Sequence, residues 1–155
     1  MIDLSVLVVL LRYAGEHIAL FSGGLFTGAT IYISLTECPP RTSLHPHDLL
    51  VLARSIAGRT NLLLSVLAAT AALAALLAAI AGAGAAWFAG GITHVLIMAY
   101  LASDVRRIAT ELRSLDTTGP DSEIRSDQLL KKKALQFGVL SLAGLFAQYL
   151  FIVSK

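Results

Sequence analysis

Ionisable side chains inside apolar stretches are the residues of this chain that could do chemistry. Four such residues have mainly Leu, Ile, Val, Ala and Gly as sequence neighbours, namely Arg12, Glu16, His17 and His94. At the centre of a membrane helix such a side chain costs about 2.5–3.5 kcal/mol on insertion scales, so it needs a partner or a function. An imidazole or a carboxylate can remove a proton or bind a metal. Glu16, His17 and His94 are therefore the candidate catalytic residues.

Each of these side chains also has a structural interpretation, which is the commoner one. A single membrane histidine usually hydrogen-bonds a nearby carbonyl or hydroxyl. Arg12 and Glu16 lie one helical turn apart and can form an interfacial ion pair. The alternative is that His17 and His94 face one another across a bundle and ligate haem or, with Glu16, a transition metal. The cofactor, if there is one, is not fixed by this spacing.

The composition predicts that the helices carrying these residues lie in a membrane. The chain has 155 residues, of which 56% are hydrophobic and 14% charged, and its mean hydropathy is +0.75. Soluble domains carry about 25% charged residues, so this chain belongs to a different class. Its length fits one small membrane domain. The single cysteine, Cys38, excludes an intramolecular disulfide and a cluster of thiolate ligands.

Four apolar stretches predict an all-α fold, an integral membrane four-helix bundle that forms one domain over residues 1–155. The spans are expected at about residues 4–36, 60–81, 86–104 and 134–153, with cytoplasmic loops at 37–59 and 105–133. A loop with a short amphipathic turn is expected from Pro39 to Gly58. The sequence Gly82-Ala83-Gly84-Ala85 predicts a tight connection between the second and third spans, and Trp87 is expected at the interface.

The first span is too long for one straight crossing. Residues 4–36 would measure about 50 Å as a helix, against about 30 Å of hydrocarbon, so we expect tilt, an extension past the bilayer, or a break at Gly15 or Gly23-Gly24. In the same span, Gly24-X-X-X-Gly28 predicts a small-residue packing face. A helix of this chain or of another subunit can pack there, so a homo-oligomer is one expectation.

The basic residues are sorted to one side of the predicted bundle. Three Lys or Arg fall between residues 41 and 59 and seven between 106 and 133, whereas the other side has Arg12 and Lys155. This bias predicts an inner-membrane protein with both termini outside. A five-span arrangement, which would move the C-terminus, is the alternative. The run Lys131-Lys132-Lys133 fits anionic lipid headgroups of the inner leaflet and gives no reason to invoke nucleic acid.

The stretch Leu20–Arg41, LFSGGLFTGATIYISLTECPPR, resembles the first-helix signature of the anthrone oxygenase-like family of small four-span membrane proteins. In that signature a glycine-bearing helix runs into a Glu-X-Pro-X-Arg step. The matching positions are Gly24, Gly28, Tyr32, Glu37, Pro39 and Arg41. The chain departs from the family where the third helix commonly carries Pro-Thr-Asn and here reads Ala99-Tyr100-Leu101. It departs again where the fourth helix often opens with Trp and His-X-X-Arg and here reads LKKKALQ.

The resemblance implies oxidation of a small apolar or aromatic substrate in a cavity within the bundle. Four polar side chains, Glu16, His17, Thr93 and His94, would converge on that cavity. A buried His or Glu would remove a proton from an anthrone-like substrate, and the carbanion would react with oxygen without a metal. Glu37 and Arg41, on which the resemblance falls, join Thr93 as candidate binding residues, although both can instead cap the helix end.

Two other classes of protein stay open at this point. One is a haem- or metal-binding membrane protein that uses His17 and His94. The other is a non-catalytic membrane accessory or assembly protein, in which Gly24 and Gly28 carry the helix contacts.

Overall fold

The fold is an all-helical bundle, as the sequence predicts. A computed structural model describes residues 4–37, 46–114 and 122–154. The helices are α1 (Leu4–Tyr32), α2 (Pro46–Ala78), α3 (Ala85–Ser114) and α4 (Ser122–Val153). A π-helical turn, Ile33–Glu37, continues α1, and a second, Ala79–Ala83, continues α2.

The four helices pack in a ring in chain order. α1 packs on α2 and α4, and α3 packs on the same two helices. One apolar cluster, built around Phe26, Leu64 and Phe137, fills one half of the bundle. A second cluster fills the other half, where alanines of α2 meet the stacked rings of Trp87 and Phe151. The core therefore changes from large aliphatic and aromatic side chains in one half to alanines in the other.

Small residues bring α1 and α2 close together. A Cβ on Gly15 would lie 2.8 Å from the carbonyl oxygen of Ala74 and 3.1 Å from the Cβ of Ala78. Contact at that distance allows no side chain at position 15. The alanine-rich section of α2 thus packs on α1 almost backbone to backbone, as the composition of that section predicts.

Within the described residues, four stretches are long and apolar enough to cross a membrane. They are Leu4–Thr36, Thr60–Ala83, Ala85–Ser103 and Lys131–Val153. α1 shows no break at Gly15 or at Gly23-Gly24, so the excess length of the first stretch is not absorbed by a kink at either site. Every residue in the first part of α1, from Leu4 to Ala14, is exposed.

Helix extends further into the polar segments than the sequence predicts. The loop with one short turn expected from Pro39 to Gly58 is largely replaced by helix, because α2 already begins at Pro46. Proline suits the first position of a helix, where no backbone donor is needed. α3 continues to Ser114, into the segment 105–133 that the sequence assigns to a cytoplasmic loop. Gly119-Pro120, which favours a break after this helix, lies outside the described residues.

The connection between α2 and α3 depends on two glycines with positive φ. Gly82 has φ 94° and ψ 18°, and Gly84 has φ 102° and ψ 173°. The second of these conformations is open almost only to glycine. The tight turn predicted for Gly82-Ala83-Gly84-Ala85 is therefore confirmed.

We predict that Gly84→Ala lowers the free energy of unfolding in detergent by about 1–3 kcal/mol, because alanine is strained at this φ and ψ. Gly138→Ala is the matched control, since position 138 is helical and its nearest neighbour, the Ser34 hydroxyl oxygen, would be 3.8 Å from the new Cβ. Equal stability of the two variants in a denaturant titration would contradict the role of the Gly84 conformation.

Candidate functional site

His94 occupies the centre of the bundle. It stands midway along the apolar stretch Ala85–Ser103, and no part of it is exposed. Its Nδ1 lies 3.0 Å from the carbonyl oxygen of Gly90, one turn earlier. Because a carbonyl only accepts, Nδ1 donates its proton there, and in the neutral ring Nε2 presents a lone pair.

The Nε2 atom of His94 and the side chain of Gln148 on α4 both lie close to Gly23 of α1. A Cβ on Gly23 would lie 3.2 Å from His94 Nε2 and would overlap Gln148 Nε2. Both nitrogens are buried, and neither has a hydrogen-bond partner among the described residues. An acceptor from α3 and a donor from α4 therefore share the space that Gly23 leaves free. We call His94, Gln148 and Gly23 the polar centre.

Aromatic rings surround the imidazole of His94. Phe26 stands edge-on to it with centroids 6.1 Å apart, and Phe151 lies parallel to it at 6.0 Å. Phe151 in turn stacks on Trp87 at 4.5 Å. A Cβ on Gly90 would overlap the ring of Phe151, so this glycine makes room for the stack. The unpaired nitrogens are thus enclosed by apolar surface, where each costs about 1–3 kcal/mol.

Trp87 is buried inside the bundle, with only 1% of the residue exposed. Its ring stacks on Phe151, which places it in the apolar core. The depth of Trp87 relative to the membrane–water interface stays a prediction.

Glu16 is buried but already has a partner. Its Oε1 accepts from Arg12 Nε at 2.9 Å, while the Arg12 side chain is 45% exposed. Glu16 precedes Gly23 by seven residues, which is about 10.5 Å along a helix. The structure therefore supports the ion-pair interpretation of Glu16 and places this carboxylate away from the polar centre.

His17 does not face His94. Its side chain is exposed, and its Nδ1 contacts the carbonyl oxygen of Tyr13 at 2.7 Å. It precedes Gly23 by six residues, which rotates it by about 120° from the face that meets His94. The paired-histidine arrangement considered for haem or a metal is therefore not formed. The described residues also contain no group of three or more His, Cys, Asp or Glu positioned to hold a metal ion.

Thr93 lines an open groove that the other three candidate residues, Glu16, His17 and His94, do not line. The groove has a volume of about 510 Å³ and lies between α3 and α4. The Thr93 hydroxyl donates to the carbonyl oxygen of Ala89 at 2.9 Å. The four polar groups therefore do not converge, because neighbouring residues of one helix face different sides of it.

The remaining candidates lie on the outer surface or outside the described residues. Glu37 ends the π-helical turn after α1, and its side chain lies outside the described residues, as does Arg41. A Cβ added to Gly24 or to Gly28 would meet no atom within 4 Å. Both glycines are exposed. The packing face predicted there is therefore not used by any described helix of this chain.

The sequence does not identify two residues of the polar centre. Gln148 is not among the candidate residues from the sequence, and Gly23 is predicted only as a place where α1 could break. The available signal is weak, since an uncharged amide late in an apolar helix and one glycine of a pair carry no pattern. Their importance follows from how α1 and α4 are rotated toward His94.

Comparisons of the chain with family models, with curated proteins and with solved structures give no match. The resemblance of Leu20–Arg41 to the anthrone oxygenase-like signature therefore stays a prediction.

We predict that Gly23→Ala destabilises the bundle by about 1–3 kcal/mol, because the new methyl group would displace Gln148 and crowd His94. Gly24→Ala, one residue along the same helix, meets open space and should leave stability within about 1 kcal/mol of the parent. The measurement is unfolding in detergent followed by circular dichroism. Equal losses at positions 23 and 24 would show that Gly23 does not face the polar centre.

Proposed function

We propose that this chain is a four-span integral membrane protein that oxidises a small aromatic ketone, with His94 as the base and Gln148 as the hydrogen-bond donor. The observation that carries the proposal is the pair of buried, unpaired nitrogens at the polar centre. Buried polar groups are almost always satisfied, so an acceptor and a donor left open side by side require an explanation. A substrate that offers a proton and accepts a hydrogen bond would satisfy both.

The class of substrate comes from the resemblance of Leu20–Arg41 to the anthrone oxygenase-like signature. An anthrone-like ketone has a methylene group whose proton is acidic because the carbanion delocalises through aromatic rings onto the carbonyl oxygen. Its rings also suit a site bounded by Phe26 and Phe151, since aromatic pairs prefer stacked and edge-to-face contacts.

In the proposed reaction, Nε2 of His94 removes one methylene proton, and the electron pair moves toward the carbonyl oxygen. The amide of Gln148 donates to that oxygen as its negative charge grows. In a site from which water is excluded, such a donor stabilises the transition state more than it would in water. Molecular oxygen then takes the carbanion's electrons. In the balanced outcome, the methylene group and one molecule of oxygen give a new carbonyl group and one molecule of water, which carries away the proton held by His94.

Room for a substrate has to come from side-chain movement. Gln148 lies over Gly23, and Phe151 lies over Gly90. Because Gly23 carries no side chain, movement of Gln148 over it opens space beside the Nε2 atom of His94. Such a side-chain movement is consistent with an apolar substrate that enters from the lipid.

The location we propose is the inner membrane, with the two polar segments in the cytoplasm and both termini outside. The sorting of ten Lys or Arg into residues 41–59 and 106–133 supports this orientation.

We predict that purified protein consumes oxygen when anthrone is added and that His94→Gln lowers this rate by about 10²–10⁴-fold, the usual contribution of a positioned base. Gln148→Leu, which keeps the size of the side chain, should lower it by about 10²–10³-fold. His17→Gln is the matched control and should retain the parent rate, because His17 is exposed and bonded to its own helix.

The activity measurement is oxygen uptake by protein in liposomes, with gel filtration to show that each variant still assembles. No uptake above the rate of empty liposomes would contradict the proposed reaction. Parent-like rates for a well-assembled His94→Gln variant would remove His94 from it.

A non-catalytic role in membrane assembly is the second candidate, and the outward side of α1 favours it. To fit about 30 Å of hydrocarbon, the stretch Leu4–Thr36 would need a tilt of about 53°, beyond the range of about 0–40° seen for membrane helices. Its exposed first turns, Leu4–Ala14, therefore extend past the lipid and need cover by protein. A second copy of this chain offers an equally apolar helix, and Gly24 and Gly28 allow close approach.

We predict that the double substitution Gly24→Ile and Gly28→Ile lowers the dimer fraction in bilayers at least tenfold, because the new side chains hold the helices apart. Ala99→Ile adds similar bulk to the exposed surface of α3 and should leave the dimer intact. Energy transfer between labelled copies in liposomes measures the dimer fraction. A parent chain that stays monomeric at high protein-to-lipid ratios would refute the assembly role.

A further inference from the structure

The open groove between α3 and α4 has an elongated shape. On α3 its lining runs from Thr93 to Tyr100, about 10.5 Å, and on α4 from Lys132 to Ala143, about 16.5 Å. The other lining residues are Leu96, Ile97, Leu135, Gln136, Val139 and Leu140. The groove is therefore a furrow along the helices, open on the outside of the bundle, rather than a closed pocket.

The two ends of the groove differ in polarity. Lys132 stands at one end, with Gln136 one turn further along α4. Beyond them the α4 side is apolar, with Val139, Leu140 and Ala143. Thr93 adds no free donor at the far end, because its hydroxyl donates to its own helix. A ligand that fits has a polar, anionic head and a long apolar tail.

The lysine end lies where a lipid headgroup would lie. Lys131 is the first residue of the fourth apolar stretch, Lys131–Val153, so Lys132 stands at the edge of the hydrocarbon layer. The neighbouring Lys133 directs its ammonium toward the Phe137 ring, 5.6 Å from its centroid. Lys132 is the lysine of this run that lines the groove. Basic pockets between membrane helices on the cytoplasmic side commonly bind anionic headgroups.

We infer that the α3–α4 groove binds one anionic phospholipid, with its phosphate at Lys132 and one acyl chain along Val139, Leu140 and Ala143. A free phosphate ion would use the lysine but not the apolar furrow. A partner helix would need small residues for close approach, whereas the walls here carry Leu, Ile, Tyr and Val. The site stands independently of the activity proposed for His94.

Bound lipid should also stabilise the bundle. Ile97 and Leu140 line the groove and belong to the apolar cluster that contains Phe26. An acyl chain that contacts both therefore adds packing to the core from outside. Because such a ligand binds the folded protein and not the unfolded chain, it raises the unfolding temperature.

The experiment uses the full chain in a zwitterionic detergent, with phosphatidylglycerol, phosphatidylcholine or inorganic phosphate as the probe. Native mass spectrometry should show one retained phosphatidylglycerol, and only this lipid should raise the unfolding temperature. Lys132→Gln should weaken its binding about fivefold, the effect of one lysine near the membrane surface. Val139→Trp should weaken it at least as much, because the indole occupies the furrow while every charge is kept.

Two control variants separate this site from general surface attraction. Lys131→Gln removes the same charge beside the groove, and Leu142→Trp adds the same bulk to an exposed position of α4 outside it. Both should bind phosphatidylglycerol as the parent does. Equal weakening by Lys131→Gln and Lys132→Gln, or no effect of Val139→Trp in a folded protein, would overturn the groove site. Inorganic phosphate that stabilises as strongly as the lipid would overturn it as well.

Discussion

The need to pair every buried polar atom without water is the constraint on which this bundle depends. Several hydroxyls inside it meet that need within their own helix. Thr27 donates to Gly23, Thr30 to Phe26 and Ser141 to Phe137, each to a carbonyl one turn earlier. In His94, only one of the two ring nitrogens makes such a hydrogen bond within its own helix. Among the described residues its Nε2, the Gln148 amide nitrogen and the Asn61 side-chain oxygen are the buried exceptions, and the first two lie side by side.

The helices reach the spacing that this core requires through glycines matched to particular neighbours. Gly23 leaves space for Gln148, Gly90 for Phe151, and Gly144 for the Thr27 hydroxyl. In each pair, the glycine of one helix leaves space for a large or polar side chain of another helix. Close packing of this kind lets the backbones of neighbouring helices approach one another. It also fixes the rotation of each helix, and that rotation decides which polar groups meet.

Hydropathy and turn chemistry predict the all-helical fold, the four long apolar stretches and the Gly82–Gly84 turn, because these depend on local sequence. The site cannot be predicted in the same way. The sequence identifies His94 because an ionisable side chain in an apolar helix costs free energy. Its partners depend on how the neighbouring helices are rotated, and no pattern within a single helix contains that information. The alternative in which His17 faces His94 is not formed for that reason. The sequence does not single out Gln148, because an amide side chain in an apolar helix has many ordinary structural roles.

Gly23 and Gly24 show how one dipeptide can serve two unrelated purposes. Successive residues of an α-helix point about 100° apart, so one of these glycines faces the core and the next faces outward. Gly23 contacts His94 and Gln148, whereas Gly24 meets no atom within 4 Å. The glycine that falls within the resemblance to the anthrone oxygenase-like signature is the outward one. None of the positions that carry the resemblance belongs to the polar centre. The chemistry of the polar centre therefore has to be judged on His94 and Gln148 themselves.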